Sequence, residues 1–564
     1  MKTRPSHATR SRSRNAHPSR RKRKMRAPST ADHRHLPSIG NLVDSLVSSD
    51  FKPNWPPDVF GVVGTILSES GAYTRVLDGW PPKSLLTRGV PPGPERVRIW
   101  AEWVVQKGAE WRSAAAAAKD APKEVRTRWE KILSFRDQPV TAARTKRALA
   151  DALLELSALA DQASERAGIP LSTDMESFDQ FWLEACVDCL MLNHTLCRDI
   201  LPSRLRVLPK LHTPRSGLTF RSMTHHLALC PTGDVSPRWN QVVTNIPVTR
   251  LNVLVVPYPF DVRPKQFLPN CCDLQEVDGR FGFFAFNPAR GSEVEEAVAG
   301  LHRKATNLVG KIDMIVLPEG AVTNSQYELI RKRASLRDLP VLIAGVIDGP
   351  DKAGCCRKNL CRMQIRDPIA NRRVVQGKHH RWHLSRSQLI QYGLGSILDP
   401  QRHWWEHIEI LPRSVQFVSL NERMTVCVLL CEDLARQDPV AGILRAVGPN
   451  LVVALLMDGP QLRSRWSAKY ATVLADDPGC SVLSVTSLGM AELCRPHAVP
   501  PSRVVGLWKD ARSGEPVELT LPKDAHGLVL TLAVEEDKEW TADGRSDSSV
   551  SAYPILAGLH PIFL

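Results

Sequence analysis

The chain is poor in what would fix its class at once. Thirteen cysteines are spread over 564 residues, an odd number, which excludes a disulfide scaffold and fits a reducing compartment. No apolar run approaches the ~18 residues a membrane span needs; Leu451–Met457 is among the longest. The basic N-terminus has no apolar stretch behind it, so no secretory signal is read there. Net charge is also scarce outside one place. Residues 1–36 hold twelve Lys/Arg against Asp32, so +11 of the total +15 sits in the arm and about +4 is left for the rest. These absences exclude integral membrane, collagen-like, small secreted and wholly disordered classes. They predict a cytoplasmic protein with no membrane partner.

Residues 1–36 lack the apolar residues to bury a core and read as a disordered basic tail. Such an arm can make weak, sequence-blind phosphate contacts with nucleic acid, or be a solvated tail. Met1 and Met25 are both candidate starts. Residues 37–240 read as a mainly helical domain. Trp100, Val104 and Trp111 share a face. Trp129, Ile132 and Leu133 form a second stripe, and Leu149, Leu153, Leu156 and Ala160 a third that stops at Gly168. Thr173 and Glu176 form a capping box for the next helix, which runs toward Pro202. From 245 to 540 short β-branched runs such as Leu251–Val256, Phe281–Phe286, Met314–Leu317, Val341–Val346, Thr425–Leu430, Leu451–Met457 and Ser481–Val485 alternate with helical stretches. That alternation predicts an α/β domain. Residues 541–564 read as a C-terminal tail with an apolar end that can dock.

Three segments of the α/β region carry chemistry. Asp313-Met-Ile-Val-Leu-Pro-Glu319 ends an apolar strand in a carboxylate. Gln376-Gly-Lys378-His-His380-Arg-Trp382-His383 sets a lysine among His and Trp. Val426-Cys-Val-Leu-Leu-Cys431-Glu432-Asp433 ends a strand in a thiol followed by two acids. Singly each is ordinary: a turn acid, a surface lysine, a core cysteine. Strand C-terminal ends are nevertheless where α/β sites lie. In the order Glu, Lys, Cys the three make a nucleophilic set. A thiol near neutral pH needs a base or a cation, a carboxylate can take its proton, and a lysine can hold an oxyanion.

With this trio the region 245–540 resembles the nitrilase, or carbon–nitrogen hydrolase, superfamily. The flanks agree: Pro340-Val-Leu-Ile-Ala-Gly345, Arg357-Lys-Asn359, Pro449-Asn-Leu-Val-Val-Ala, and Trp466 through Ser484-Val-Thr. The resemblance implies a four-layer αββα sandwich, with Glu319 as general base, Lys378 as oxyanion stabiliser and Cys431 as nucleophile. It implies hydrolysis of an amide or nitrile through a covalent acyl-thioester or thioimidate, without metal or cofactor. The backbone N–H after Cys431 would help hold the oxyanion. His380, Trp382, Glu432 and Trp466 are the candidate substrate-pocket residues. A homo-oligomer fits the family's habit. The family's second glutamate, in a Gly-Glu pair soon after the lysine, has no counterpart in Ser385–Gly395, and the first acid after the lysine is Asp399.

More weakly, the Arg381-Trp382 extension, together with a large N-terminal half outside the family, resembles what is found in nitrilase-like domains attached to bacterial antiviral reverse transcriptases, although no polymerase half is found. The rival to an enzyme is therefore a nitrilase-fold interaction or defence module whose N-terminal region binds a partner or nucleic acid. The intact trio favours the enzyme. Cys186, Cys189, His194 and Cys197 suggest zinc by spacing, but one helix cannot wrap four ligands tetrahedrally. With Cys355, Cys356 and Cys361 they read as packing. His379, His380 and His383 read as pocket lining rather than a metal site.

Overall fold

The computed structural model describes residues 37–78, 80–81, 93–170, 177–214, 217–230, 232–242, 244–269, 279–289, 291, 293–349, 356–366, 371–495, 501–546 and 550–564. The basic arm 1–36, the capping box of Thr173 and Glu176, and Cys355 lie outside these residues.

The apolar stripes of the N-terminal half fold as read. Six helices, Ile39–Leu46, Pro56–Ser70, Pro94–Ala116, Lys123–Leu133, Arg147–Ala163 and Ser177–Asn193, pack around one core. Trp100, Val104 and Trp111 are buried from the third helix, and Leu149, Leu153 and Leu156 from the fifth. Pro56 and Pro57 open the second helix where no amide donor is required, and Gly71 ends it in the left-handed conformation.

The rest is an α/β sandwich of two seven-stranded sheets. The first runs, in spatial order, Asn371–Gly377, Lys358–Arg366, Val341–Asp348, Met314–Thr323, Arg250–Val255, Ala525–Lys538 and Val550–Phe563. The second runs Val517–Thr520, Val504–Lys509, Ser481–Val485, Leu451–Leu455, Met424–Leu430, Ser414–Asn421 and Ser236–Gln241. Alternate side chains of both sheets, Val253, Val316 and Ile343 against Val428, Val453 and Leu483, meet in a shared inner core. Helices Glu293–Val309 and Asn324–Lys332 cover the outer face of the first sheet. The outer face of the second packs against helix Trp466–Asp476 and the helical domain itself. Four layers in the order helix, sheet, sheet, helix result.

Three expectations need correction. The sandwich begins before residue 245: Ser236–Gln241 pairs in parallel with Ser414–Asn421, because its buried Pro237 and Trp239 alternate with outward residues as a strand requires. Phe281–Phe286 is a strand but joins neither large sheet. It belongs to a separate four-stranded sheet with Phe267–Pro269, His403–Glu406 and His383–Leu384, whose inner face buries Phe284, Trp382 and Trp404. Residues 541–564 are not a tail. Val550–Phe563 pairs with Ala525–Lys538 along its whole length and closes the first sheet.

The segment leading into that last strand enters the helical domain. Arg545 is fully buried and bonds Asp543 at 2.8 Å and the Met223 carbonyl at 2.9 Å, with Asp161 of the fifth helix 3.6 Å away. Asp543 also receives the Trp100 indole N–H. Glu539 accepts the Thr213 N–H at 2.6 Å and the Tyr553 hydroxyl at 2.7 Å. Burial alone would push its carboxyl up. The His212 imidazole, 3.7 Å away, and the Tyr553 and Thr213 donors bring it down to about 2. A carboxylate held below its ordinary 4.5 stabilises the fold above that pH, and the contribution fades as pH falls through about 2. The stability gap between the wild type and Glu539→Gln should therefore be on the order of 3 kcal/mol above pH 5 and shrink toward pH 2. Urea unfolding across that range measures it; a gap flat with pH would refute the assignment.

Candidate functional site

The long strand Met314–Thr323 breaks register with its neighbour between Leu317 and Val322, and Pro318-Glu319-Gly320-Ala321 fills the break, with Gly320 at φ +63°. The bulge turns the Glu319 side chain inward. A close approach permits it: Gly345 of the adjacent strand lies so near that a Cβ there would meet the Pro318 carbonyl oxygen at 2.2 Å and Glu319 Cα at 2.4 Å.

Glu319 and Lys378 are fully buried and meet at 2.7 Å. The Lys378 ammonium is shared with a second carboxylate, Glu406, at 2.6 Å. Asn359 bridges the pair, its amide donating to Glu319 and to Glu406, both at 2.8 Å. The remaining Glu319 oxygen accepts the Met457 N–H at 2.8 Å, and Glu406 also accepts the Trp382 N–H at 3.1 Å. Burial would strip Lys378 of its proton, but Glu319 and Glu406 hold it and raise it well above its usual range. Burial, with Glu406 alongside, raises the Glu319 carboxyl despite the lysine.

Cys431 stands where the strand Met424–Leu430 turns into the short helix Glu432–Ala435. Its φ of +45° is rare for a residue with a side chain and concentrates strain at one point of the turn, of the kind found at functional sites. Its N–H is fixed on the Leu455 carbonyl at 2.9 Å. Burial pushes the thiol well up, the Glu319 charge pushes further, and Lys378 pulls back. Cys431 therefore rests as a thiol within electrostatic reach of the Glu319 carboxylate and the Lys378 ammonium. It is only 2% exposed, whereas Cys356 is exposed. Brief iodoacetamide treatment followed by mass spectrometry is expected to modify the exposed Cys356 before the buried Cys431.

The pocket candidates divide. The Trp382 ring is buried against Phe284 and Tyr392, under the four-stranded sheet. Trp466 donates its indole N–H to Asp458 at 2.9 Å. Glu432 pairs with Arg436 at 3.1 Å. His380 turns to Asp433 at 2.8 Å, so it orders the segment after Cys431. His379 goes to the Ser414 carbonyl and His383 to His403. Among the described residues no cluster of three or more His, Cys, Asp or Glu could hold a metal ion.

Sequence reading missed Glu406, the second carboxylate beside the lysine, and found no such acid nearby. It comes from the strand His403–Glu406 of the extra sheet, after helix Arg386–Gln391 and a loop that postpone it. The alternation His-Trp-Trp-Glu, exposed and buried by turns, was the available signal. Asp458 was missed as well. It is buried and gathers the Tyr392 hydroxyl, Arg465 and the Trp466 indole, one residue past the amide that holds Glu319.

No protein-family description matches the chain, and no curated protein matches it. Solved structures do. It is similar to Nit3 of Saccharomyces cerevisiae, a member of branch 10 of the nitrilase superfamily, at 10% identity over 56% of this chain and 93% of that one, TM-score 0.30. It is similar to XC1258 of Xanthomonas campestris, a CN-hydrolase superfamily protein, at 14% identity over 51% and 91%, TM-score 0.29. It is also similar to the C. elegans NitFhit protein, at 11% identity over 51% and 61%, TM-score 0.32. About half of the chain is covered in each. No helix among the described residues is long and apolar enough to cross a membrane.

Proposed function

We propose that the chain hydrolyses a non-peptide carbon–nitrogen bond, an amide or nitrile of a small molecule, with Cys431 as nucleophile, Glu319 as base and Lys378 as oxyanion stabiliser. The observation that carries this reading is the buried Lys378 ammonium held between Glu319 and Glu406, within electrostatic reach of a strained thiol at a strand end. A carboxylate raised by burial is a stronger base toward a thiol than an exposed one. Glu319 takes the Cys431 proton as sulfur forms its bond to the substrate carbon. The oxyanion of an amide adduct faces Lys378 and the Glu432 N–H. As the adduct collapses, Glu319 returns the proton to the leaving nitrogen and ammonia or amine departs, leaving a thioester. A nitrile first gives a thioimidate, and water releases its ammonia. Water, deprotonated by Glu319, then attacks the thioester carbon and frees the acid and the thiol. Glu406 and Asn359 keep the ammonium in place through both halves.

Release of ammonia from a panel of primary amides and nitriles tests the activity. The wild type is expected to turn over at least one of them. Cys431→Ala and Glu319→Gln should both be inert, and the wild type quenched in acid during turnover should show a mass increase on Cys431 equal to the acyl group. Turnover by Cys431→Ala at the wild-type rate would overturn the reading.

A further inference from the structure

Both large sheets end at the same groove. The free edges of Asn371–Gly377 and Ser236–Gln241 face the sixth helix, Ser177–Asn193, across a cavity of about 650 Å³. Four consecutive residues of each strand line it, 372–375 and 238–241. Alternate side chains of a strand point to opposite faces, so an unbroken run means the strand edge itself looks into the groove.

The two walls carry opposite charge. Arg238, Arg372 and Arg373 stand on the strand side, Glu184 and Asp188 on the helix side. Arg238 leans on His194. Among the described residues, Arg372 and Arg373 form no salt bridge, Arg373 feeling only the more distant Glu328, and neither acid is paired with a cation, Glu184 accepting just the Gln180 amide at 3.0 Å. The walls do not neutralise each other across the gap.

The helix that forms the acidic wall is also apolar on the wrong side. It buries Trp182, Cys186 and Leu190 as a core helix should. It also exposes Phe181 at 64%, Met191 at 55% and Leu192 at 78%. Spacings of seven and eleven residues put Phe181, Asp188 and Leu192 on one ridge, and Glu184 and Met191 flank it toward the groove. A helix with a second apolar stripe in water marks an unfilled contact.

We propose that two copies of this chain pair through this face, the Ser177–Asn193 helix of each lying in the groove of the other. The face is self-complementary, as a two-fold interface requires, since the same patch serves both partners. The acids of one ridge reach the unpaired arginines of the other copy's groove. Phe181, Met191 and Leu192 leave water against the apolar groove lining, which includes Trp239 and Val375. Other occupants fit less well. The arm 1–36 is as basic as the arginine wall and is repelled by it. An acidic peptide would satisfy the arginines but leave Glu184, Asp188 and the apolar ridge unanswered.

Size-exclusion chromatography with light scattering on the full chain tests this. Wild type is expected to be a dimer at micromolar concentration. Glu184→Arg with Asp188→Arg, and separately Arg372→Glu with Arg373→Glu, should each raise the dimer dissociation constant at least about tenfold, because like charges then face each other. The altered side chains line the groove and form no salt bridge among the described residues, and circular dichroism should show both variants folded. An equimolar mixture of the two should recover the dimer, since each reversed wall then meets its complement. A wild type still monomeric at about 100 μM, which is too weak for a stable interface, would overturn the proposal. So would dimerisation of either variant at wild-type strength, or failure of the mixture to pair.

Discussion

Gly345→Ala is expected to give a folded protein whose turnover falls by about 10²-fold or more. The added methyl would sit 2.2 Å from the Pro318 carbonyl oxygen, 2.4 Å from Glu319 Cα and 2.8 Å from the Gly320 nitrogen. All three are backbone atoms, so no flexible side chain can swing aside, and the bulge must retreat by roughly an ångström. Overpacking of this kind costs about 1–3 kcal/mol of stability. The functional loss exceeds the structural one, because Glu319 is carried away from Lys378, Asn359 and the Met457 amide together. A misplacement near 1 Å costs about 10²-fold in rate. Ammonia release measured beside urea unfolding separates the two effects. A variant as fast as wild type would mean that the placement of Glu319 does not govern the reaction.

Lys378→Met is expected to cost both activity and stability. Loss of an oxyanion donor lowers the rate by about 10²–10³. Removal of the ammonium also leaves Glu319 and Glu406 buried together without their cation. Breaking a buried charge pair on one side typically costs about 3–5 kcal/mol. The pH dependence follows from the directions of the shifts. Lys378 is raised above its ordinary 10.5, so its contribution is complete below that value and is lost only as pH rises through the still higher folded value. In the variant Glu319 loses the cation that offsets its burial, so its carboxyl is pushed further up and stability falls as pH rises above its ordinary 4.5. The gap to wild type should be widest near neutrality and narrow below about pH 4.5. Urea unfolding between pH 4 and 9 reads this directly, and a gap that widens in acid would contradict the buried pairing.

What was legible in the sequence is what apolar strands announce. Met314–Leu317 and Val426–Leu430 are continuous apolar runs, so the acid and the thiol that follow them were already placed at strand ends, and the lysine followed from its order between them. Glu406 was not legible, because its strand of four residues is too short to give a period and lies beyond a helix and loop. The last strand was hidden for another reason. Ser, Asp and Gly between Thr541 and Val550 read as the end of order, and Val550–Phe563 includes Pro554, Gly558 and Pro561, residues that argue against a strand. At the sheet edge they are tolerated, since one side of that strand has no partner to donate to. The burial of Arg545 could not be inferred, because its partner Asp161 belongs to a helix read as part of a separate domain.

That guanidinium also sets an order of events during synthesis. Asp161 and Arg545 are 384 residues apart in the chain. At about 5–20 residues per second the ribosome takes roughly 20–80 s to cover that distance. The helices made first must wait through that interval with a cleft open in their core, and almost the whole sandwich has been translated before the residue that fills it appears. The helical region is thus first to be made and last to be finished. A chain stalled anywhere before residue 545 would present that unfilled core to whatever meets it.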